Sequence, residues 1–415
     1  MARLLLLIPS ATYRARDFLD AARSLGVEVV IGTEEAQVLG DLMGAHSLEV
    51  PLGDCAEAAR VIVAYDGVLP IDAVVAVDDG GTLVAAEASA QLGLRHNPPD
   101  AVAATRDKLA MRTRLAGLEV PQPAFAPLPA DAGREEIAAI VGIVGLPCVI
   151  KPTTLAGSQG VLRADTMSEA QAVAERVRRI ATAAGVDPGA ALLVERFAPG
   201  PEVAVEGLMV GGELRALAVF DKPDPLEGPA FEETIYVTPS RLGHGDLTAV
   251  LAATSAATVA LGLTEGPVHA EVRVLDGRAS VIEVAARTIG GLCSRTLSFS
   301  TGRSLEELVI AHALGLALGE TGARGASGVL MVPIPRAGTL VGVNGQAEAR
   351  QVPGVIDLEI TIATGRAVAP VPEGNRYLGF VFARDSTPAR VEGALRRAWA
   401  CLEVRVEDGV DDSTP

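Results

Sequence analysis

Within its first hundred residues the chain alternates short apolar runs with helix-spaced segments, and nothing else in the sequence constrains the fold as much. Residues 4–8 and 27–31 are apolar runs separated by a helical stretch, 17–25, that stops at Gly26. A third run, 73–77, ends in Asp78-Asp79-Gly80-Gly81 and leads into helical spacing over 82–92. Such alternation implies crossover connections and a parallel sheet, with ligand sites beyond the carboxyl ends of its strands. No GxGxxG follows the first run, which weakens a dinucleotide reading.

Composition sets the outer limits. At 415 residues the chain suits two or three subdomains. Hydrophobic residues make up 49% of it and aromatics only 3%, so its cores are built from aliphatic side chains. A formal net charge of −17 argues against a nucleic-acid partner, yet a local group of Lys and Arg can still bind a nucleotide. Cys55, Cys148, Cys293 and Cys401 show neither a CxxC pair nor metal-ligand spacing, and read as thiols in a reducing cytoplasm. Residues 4–8 are too short for a signal-peptide core, and no segment is long and apolar enough to span a membrane.

Further along, 106–115 reads as a helix carrying Lys108, and 121–133, rich in Pro and Ala, as a connection. The run 145–150 is a strand that delivers Lys151 at its end, before the loop Ala156-Gly157-Ser158-Gln159-Gly160-Val161. An amphipathic helix is expected over 168–184 and a strand over 192–195. Hairpins are expected around Gly211-Gly212 (202–209 with 213–220) and Asp276-Gly277 (268–275 with 279–285). A helix over 304–318, short strands from about 328, a closing helix over 388–402 and a disordered tail at 408–415 complete the reading.

Three features bear on chemistry. Lys108 and Lys151 precede a glycine loop, and such loops cradle phosphate; a glycine turn beside a solvated lysine reads equally well. Glu195 and Glu202 flank a Gly/Pro turn, able to meet a base edge and ribose hydroxyls, or to be two surface glutamates. Glu271 and Glu283 lie on the two arms of one hairpin among apolar residues. A carboxylate there is costly unless it is paired or metal-bound, and two facing carboxylates make a seat for Mg²⁺. Arg287 follows four residues after Glu283, just before Gly290-Gly291.

In this order the motifs resemble the ATP-grasp superfamily: Asp107-Lys108, the strand VIKP, the loop GSQGV, the linker VERF…GPEVAVEG and the pair HAEVR…VIEVAARTIGG. The end of the chain, GTLVGVNGQAEARQVPGV through GFVFARDSTPARV, resembles the C-terminal domain of dipeptide-forming L-amino-acid ligases. The resemblance implies an α/β ATP-grasp fold. A Rossmann-like pre-ATP-grasp domain would span 1–96, a two-lobed ATP-grasp domain 97–322 with a lid at about 118–196, and a C-terminal α+β domain 323–407. It implies ATP and Mg²⁺ as cofactors, with Lys108 and Lys151 on the phosphates under a mobile loop of Gly157, Ser158, Gln159 and Gly160. It further implies Glu195 and Phe197 at adenine, Glu202 on ribose, Glu271 and Glu283 on Mg²⁺, and Arg287 on the transferred phosphoryl group and the acyl-phosphate oxygens. Many members carry Asn where this chain has Ala285, so the number of Mg²⁺ ions stays open. Glu233 stands where relatives receive the first amino acid's ammonium, with Tyr236 in place of a frequent histidine; a solvated acidic turn at Glu232-Glu233 is the alternative. Gly290 and Gly291 are expected to leave room for a sizeable substrate.

The activity so implied is ADP-forming ligation of a carboxylic acid, an amino acid by resemblance, to an amine through an acyl phosphate. No Ser-His-Asp or Cys-His arrangement is needed for it, and none is evident. The rivals are a purine-pathway or carboxylase member of the superfamily and a non-catalytic ATP-binding protein. Partners are small molecules, without nucleic acid or membrane, and the superfamily makes a homodimer an expected state.

Overall fold

The apolar run after Arg3 becomes the strand Arg3–Leu7, which pairs in parallel with Glu28–Thr33 on one side and Ala73–Ala76 on the other. Ser47–Glu49 adds to the far edge, giving a four-stranded parallel sheet. Leu4 and Leu6 face one apolar cluster and Leu5 and Leu7 another, so the unbroken apolar run reflects burial on both faces. Helices Ala15–Ser24 and Cys55–Asp66 connect the strands, and a third helix follows Ala73–Ala76. This last one begins at Asp79, earlier than the spacing predicts, so the Asp79 carboxylate sits in the first turn where the helix dipole favours it. The structure, a computed structural model, describes residues 2–10, 12–35, 46–297, 302–319 and 325–408. The tail expected at 408–415 lies, from residue 409 on, outside the described residues.

The centre is an eight-stranded antiparallel sheet. Its order is Arg278–Ala285, Gly266–Leu275, Glu202–Val210, Glu213–Asp221, Ile235–Thr238, Ala326–Val332, Gly379–Asp385 and Val355–Ile360. Both expected hairpins are there, turned at Gly211-Gly212 and Asp276-Gly277. The last three strands come from the C-terminal third of the chain, so one continuous sheet ties that third to the centre. Helix His244–Leu261, which no clear amphipathic pattern announces, packs on the first strands of the sheet.

A smaller antiparallel sheet (Phe125–Leu128, Leu192–Arg196, Cys148–Pro152, Leu162–Ala164) carries helices Arg134–Val144 and Met167–Ala183 and has its own core around Ile150, Val177 and Val194. It corrects the reading of 121–133 as a bare connection: Phe125–Leu128 is an edge strand, and an edge tolerates Pro127.

Two further expectations are corrected. The helix expected over 106–115 is two helices, Pro99–Arg106 and Lys108–Gly117. Asp107 breaks out into an extended conformation and caps the second, accepting from the amides of Leu109 and Ala110. The helix expected to reach 318 ends at Ala313, since Gly315 turns into the left-handed region. Among the described residues no helix is long and apolar enough to cross a membrane.

Candidate active site

The two sheets and the amino-terminal unit meet at one deep cleft. Most of the predicted site residues line it: Lys108, Lys151, Gly157, Ser158, Glu195, Phe197, Glu202, Glu233, Tyr236, Glu271, Glu283, Arg287, Gly290 and Gly291. Gln159 and Gly160 do not line it. The Gln159 side chain donates to the Glu373 carbonyl (2.8 Å) and the Gly160 amide to the Pro372 carbonyl (2.9 Å), so half the loop is spent fastening it to the C-terminal unit.

Lys151 ends its strand with Nζ 2.7 Å from Glu195 Oε2, and the other Glu195 oxygen accepts from Arg112 Nε at 2.6 Å. Arg112, fully buried, also donates to the carbonyls of Val281 (2.8 Å) and Ile282 (2.6 Å), beside Glu283. Burial opposes ionisation of Glu195, but Arg112 and Lys151 outweigh it and hold the carboxyl at about 2. Burial, aided by Arg112 and Lys108, lowers Lys151 below its ordinary value, against the pull of Glu195. The Glu195 carboxylate is therefore an orienting clamp on Lys151, and only its backbone is left for a base edge. Arg112 was not singled out in the sequence; in a helix written KLAMRTRLAG it looks like solvated charge.

Glu271 and Glu283 are direct cross-strand partners, beside a local irregularity in the register. Glu283 lies 3.5 Å from Lys108 Nζ, which also donates to the Leu155 carbonyl at 2.6 Å. On the same face, Glu271 also meets a cation that the sequence reading missed. Lys222 Nζ lies 2.9 Å from Glu271 and 2.6 Å from Glu202, and is bonded to Glu233 as well. Oxygens of these three carboxylates lie within 4.8 Å of one another, a spacing that suits a cation. Burial, against the pull of Lys222, lifts Glu233 to about 7. Although burial opposes it, the surrounding carboxylates push Lys222 well above its ordinary range.

The network runs on at both ends. Arg273 Nε pairs with Glu202 at 2.9 Å. His269 Nδ1 meets Glu206, and its Nε2 lies 3.6 Å from Glu271. Burial disfavours a charged imidazole there, but Glu206 and Glu271 override it and raise His269 to about 9. Four carboxylates (Glu202, Glu206, Glu233, Glu271) thus face three cations (Lys222, Arg273, His269), leaving the cluster short of positive charge when all are ionised.

Arg287 Nε donates to Asp79 at 2.7 Å, and despite burial that partner raises its affinity for the proton. The Asp78-Asp79 turn therefore both starts a helix and pins this arginine. At the opposite end Phe197 and Phe231 stack at 6.4 Å, with the guanidiniums of Arg163 and Arg273 over the Phe197 ring at 4.2 and 4.9 Å. One expectation fails on packing. Gly291 has φ +65°, and a Cβ there would meet the Phe380 ring at 2.8 Å, so Gly291 makes room for protein and not for substrate. Beside Gly290 the space is open.

Family comparisons agree with this architecture. Residues 19–96 match the ATP-grasp N-terminal domain, 144–296 the ATP-grasp domain, and 330–407 the L-amino acid ligase C-terminal domain 2. The chain belongs to the ATP-grasp superfamily. Within it, residues 330–407 form a domain of the L-amino acid ligase kind. The crystal structure of an L-amino acid ligase from Bacillus licheniformis has the same fold, with TM-score 0.80 and 24% identity over 98% of this chain and 99% of that one. An N5-carboxyaminoimidazole ribonucleotide synthetase from Thermotoga maritima has a similar fold, with TM-score 0.72 and 15% identity over 98% and 100%. Alanine–anticapsin ligase of Bacillus subtilis is 29% identical over 254 residues, 56% of this chain; the chain spans about half (52%) of that relative's length.

Proposed function

We propose that this protein is an ATP- and Mg²⁺-dependent ligase that phosphorylates the carboxylate of an amino acid and joins the resulting acyl group to an amine, releasing ADP and phosphate. The observation that carries this is the placing of Glu271 opposite Glu283, with Lys108, Lys151 and Arg287 lining the same cleft. Facing carboxylates beside three fixed cations suit a triphosphate with its metal.

A carboxylate does not react with an amine at neutral pH, because its oxygen leaves too poorly; transfer of a phosphoryl group to that oxygen supplies a leaving group. Lys108 and Lys151 are proposed to hold the phosphates, Lys151 kept in line by Glu195. Arg287, kept in line by Asp79, is proposed to spread the charge on the transferred group and on the acyl-phosphate oxygens. Glu271 and Glu283 fit one Mg²⁺, which when bound neutralises charge between phosphate oxygens. Ala285 adds no ligand of its own. Gly157 and Ser158 cover the phosphates; Phe197, Phe231 and the backbone near Glu195 take the base, and Glu202 the ribose. Exclusion of water protects the acyl phosphate, and the loop's bonds to residues 372–373 support a closed cover. Glu233 is proposed to take the ammonium of the first amino acid, with Tyr236 beneath it.

We place the domain limits at 1–96, 97–322 and 323–407, take a homodimer from the superfamily resemblance, and read the free cysteines as consistent with a reducing, cytoplasmic setting. The test is ADP release in the presence of ATP, Mg²⁺ and pooled amino acids, with mass spectrometry of the products. Absence of an amide product across the pool would defeat the proposal.

A further inference from the structure

The chain has four tyrosines, and three of them, Tyr13, Tyr236 and Tyr377, line this one cleft. Each comes from a different part of the fold: Tyr13 from the loop after the first parallel strand, Tyr236 from the central sheet, and Tyr377 from the segment leading into Gly379–Asp385. In a protein with 3% aromatic residues this concentration is a built feature.

Its framework is stiff. Phe380, fully buried, backs two of the rings, with centroids 5.9 Å from Tyr13 and 6.4 Å from Tyr377, and Gly291 lets that ring sit close. Arg14, almost fully buried, donates to the Val77 carbonyl at 3.1 Å and to Thr288, which fixes the backbone beside Tyr13. On the other side the amide of Leu378, next to Tyr377, donates to the Val332 carbonyl at 2.9 Å. Cys293 and Met331 complete the lining with soft, apolar surface. Burial, with Cys293 next in effect, pushes the Tyr13 hydroxyl up to about 12, and burial, with Glu233 next, pushes Tyr377 well above its ordinary value. Burial also keeps the Cys293 thiol protonated. The Tyr13 and Tyr377 hydroxyls and the Cys293 thiol thus stay uncharged at neutral pH, and Glu233 lines the same cleft, as do Asp78 and Arg376.

Resting on the ligase reading above, we infer that this chamber takes the side chain of the amino acid whose ammonium meets Glu233, and that it selects large apolar or aromatic side chains over small or charged ones. The warrant is complementarity. Flat tyrosine rings, two of them backed by Phe380, recover the apolar surface of a ring or branched chain, and edge or offset contacts between rings add to it. A carboxylate or ammonium brought against these rings and this thiol loses water and gains no opposite charge from them. Glycine leaves the chamber unfilled.

The test measures ADP release with MgATP and single amino acids: L-phenylalanine, L-leucine and L-methionine against glycine, L-aspartate and L-lysine. The expected result is a kcat/KM for the large apolar set roughly tenfold or more above the others. Tyr13→Ala and Tyr377→Ala should raise KM for phenylalanine by a larger factor than KM for glycine, and Tyr13→Phe should keep the wild-type order. Preference for glycine, aspartate or lysine overturns the inference and leaves the ligase reading intact. So does an equal loss for every amino acid in both alanine variants. If no amino acid is turned over, the amino-acid reading fails first, and the chamber is then read with 3-phenylpropanoate against acetate. Preference for the phenyl acid supports it, and preference for acetate overturns it.

Discussion

Lys222 and Glu233 are bonded to one another where Glu202 and Glu271 also converge, so the carboxylate expected to meet a substrate's ammonium already holds an ammonium of the protein. Each of the three carboxylates has a separate proposed partner: ribose for Glu202, metal for Glu271, substrate for Glu233. Lys222 is the counter-charge they share.

Replacing Lys222 by Met should leave three carboxylates, with oxygens within 4.8 Å of one another, around an uncharged side chain. The variant is expected to lose stability and to recover it with a divalent cation. Saturation to about a hundred times Kd would restore about 2.7 kcal/mol. Thermal unfolding with and without Mn²⁺, in the absence of nucleotide, reads this directly. Equal Mn²⁺ responses in wild type and variant would mean that the carboxylates do not act as one site.

Arg112 holds Glu195 at 2.6 Å and is fully buried. Arg112→Ala removes one partner of a buried ion pair and leaves the carbonyls of Val281 and Ile282 without their donor. A loss of about 3–5 kcal/mol is expected from such a change. Urea unfolding monitored by circular dichroism checks it; a loss under about 1 kcal/mol, the scale of an exposed pair, would show that the clamp is not structural.

How much of this was legible beforehand depended on whether a residue's chemistry conflicts with its neighbours. Glu271 and Glu283 stood out because carboxylates inside apolar strand patterns need a reason. The runs 4–8 and 73–77 stood out because their periodicity gives strands directly, and with them the parallel sheet. Lys222 lies in DKPDPLEG, which reads as a turn, and its importance comes from side chains that are 11, 20 and 49 residues away in sequence. Charge balance was the available signal: three glutamates proposed for one cleft require a cation beyond the phosphate-binding set. Gly291 was misread because an empty Cβ position looks the same in sequence whether substrate or Phe380 fills it.

His269 gives a pH signature. Its pKa rises from 6.5 to about 9 on folding, because Glu206 and Glu271 outweigh burial. A raised pKa contributes stability that is fully present below the unfolded value and is lost as pH climbs through the folded one. Wild-type stability should therefore decline between about pH 6.5 and about pH 9. His269→Gln should be less stable at pH 6 and show a flatter decline. Unfolding midpoints at several pH values across that window test the point, and parallel curves would remove His269 as the cause.

Glu283→Ala is expected to abolish ADP release while leaving the fold intact, since Glu283 is half exposed and its ionic partner is Lys108 at 3.5 Å. Circular dichroism and thermal unfolding establish the fold, and a coupled ADP assay reads the activity. Unchanged turnover would take the metal role away from this carboxylate.

The last prediction returns to Glu233. An amino acid entering a cleft that excludes water brings a positive charge that costs several kcal/mol if left unpaired. The cluster around Lys222 can receive it, since four carboxylates there face three cations. With wild type, an amino acid should support ADP release far better than its des-amino analogue. Glu233→Gln keeps the size of the side chain and removes its charge, so it should narrow that gap by raising KM for the amino acid more than for the analogue. Lys222 sharpens the expectation, because it bonds Glu202 and Glu271 as well and can stay with them when Glu233 turns to a substrate. If the des-amino acid is the better substrate of the wild-type protein, there is no ammonium pocket at Glu233. The carboxylate then serves only to hold Lys222, and the enzyme activates a plain carboxylic acid.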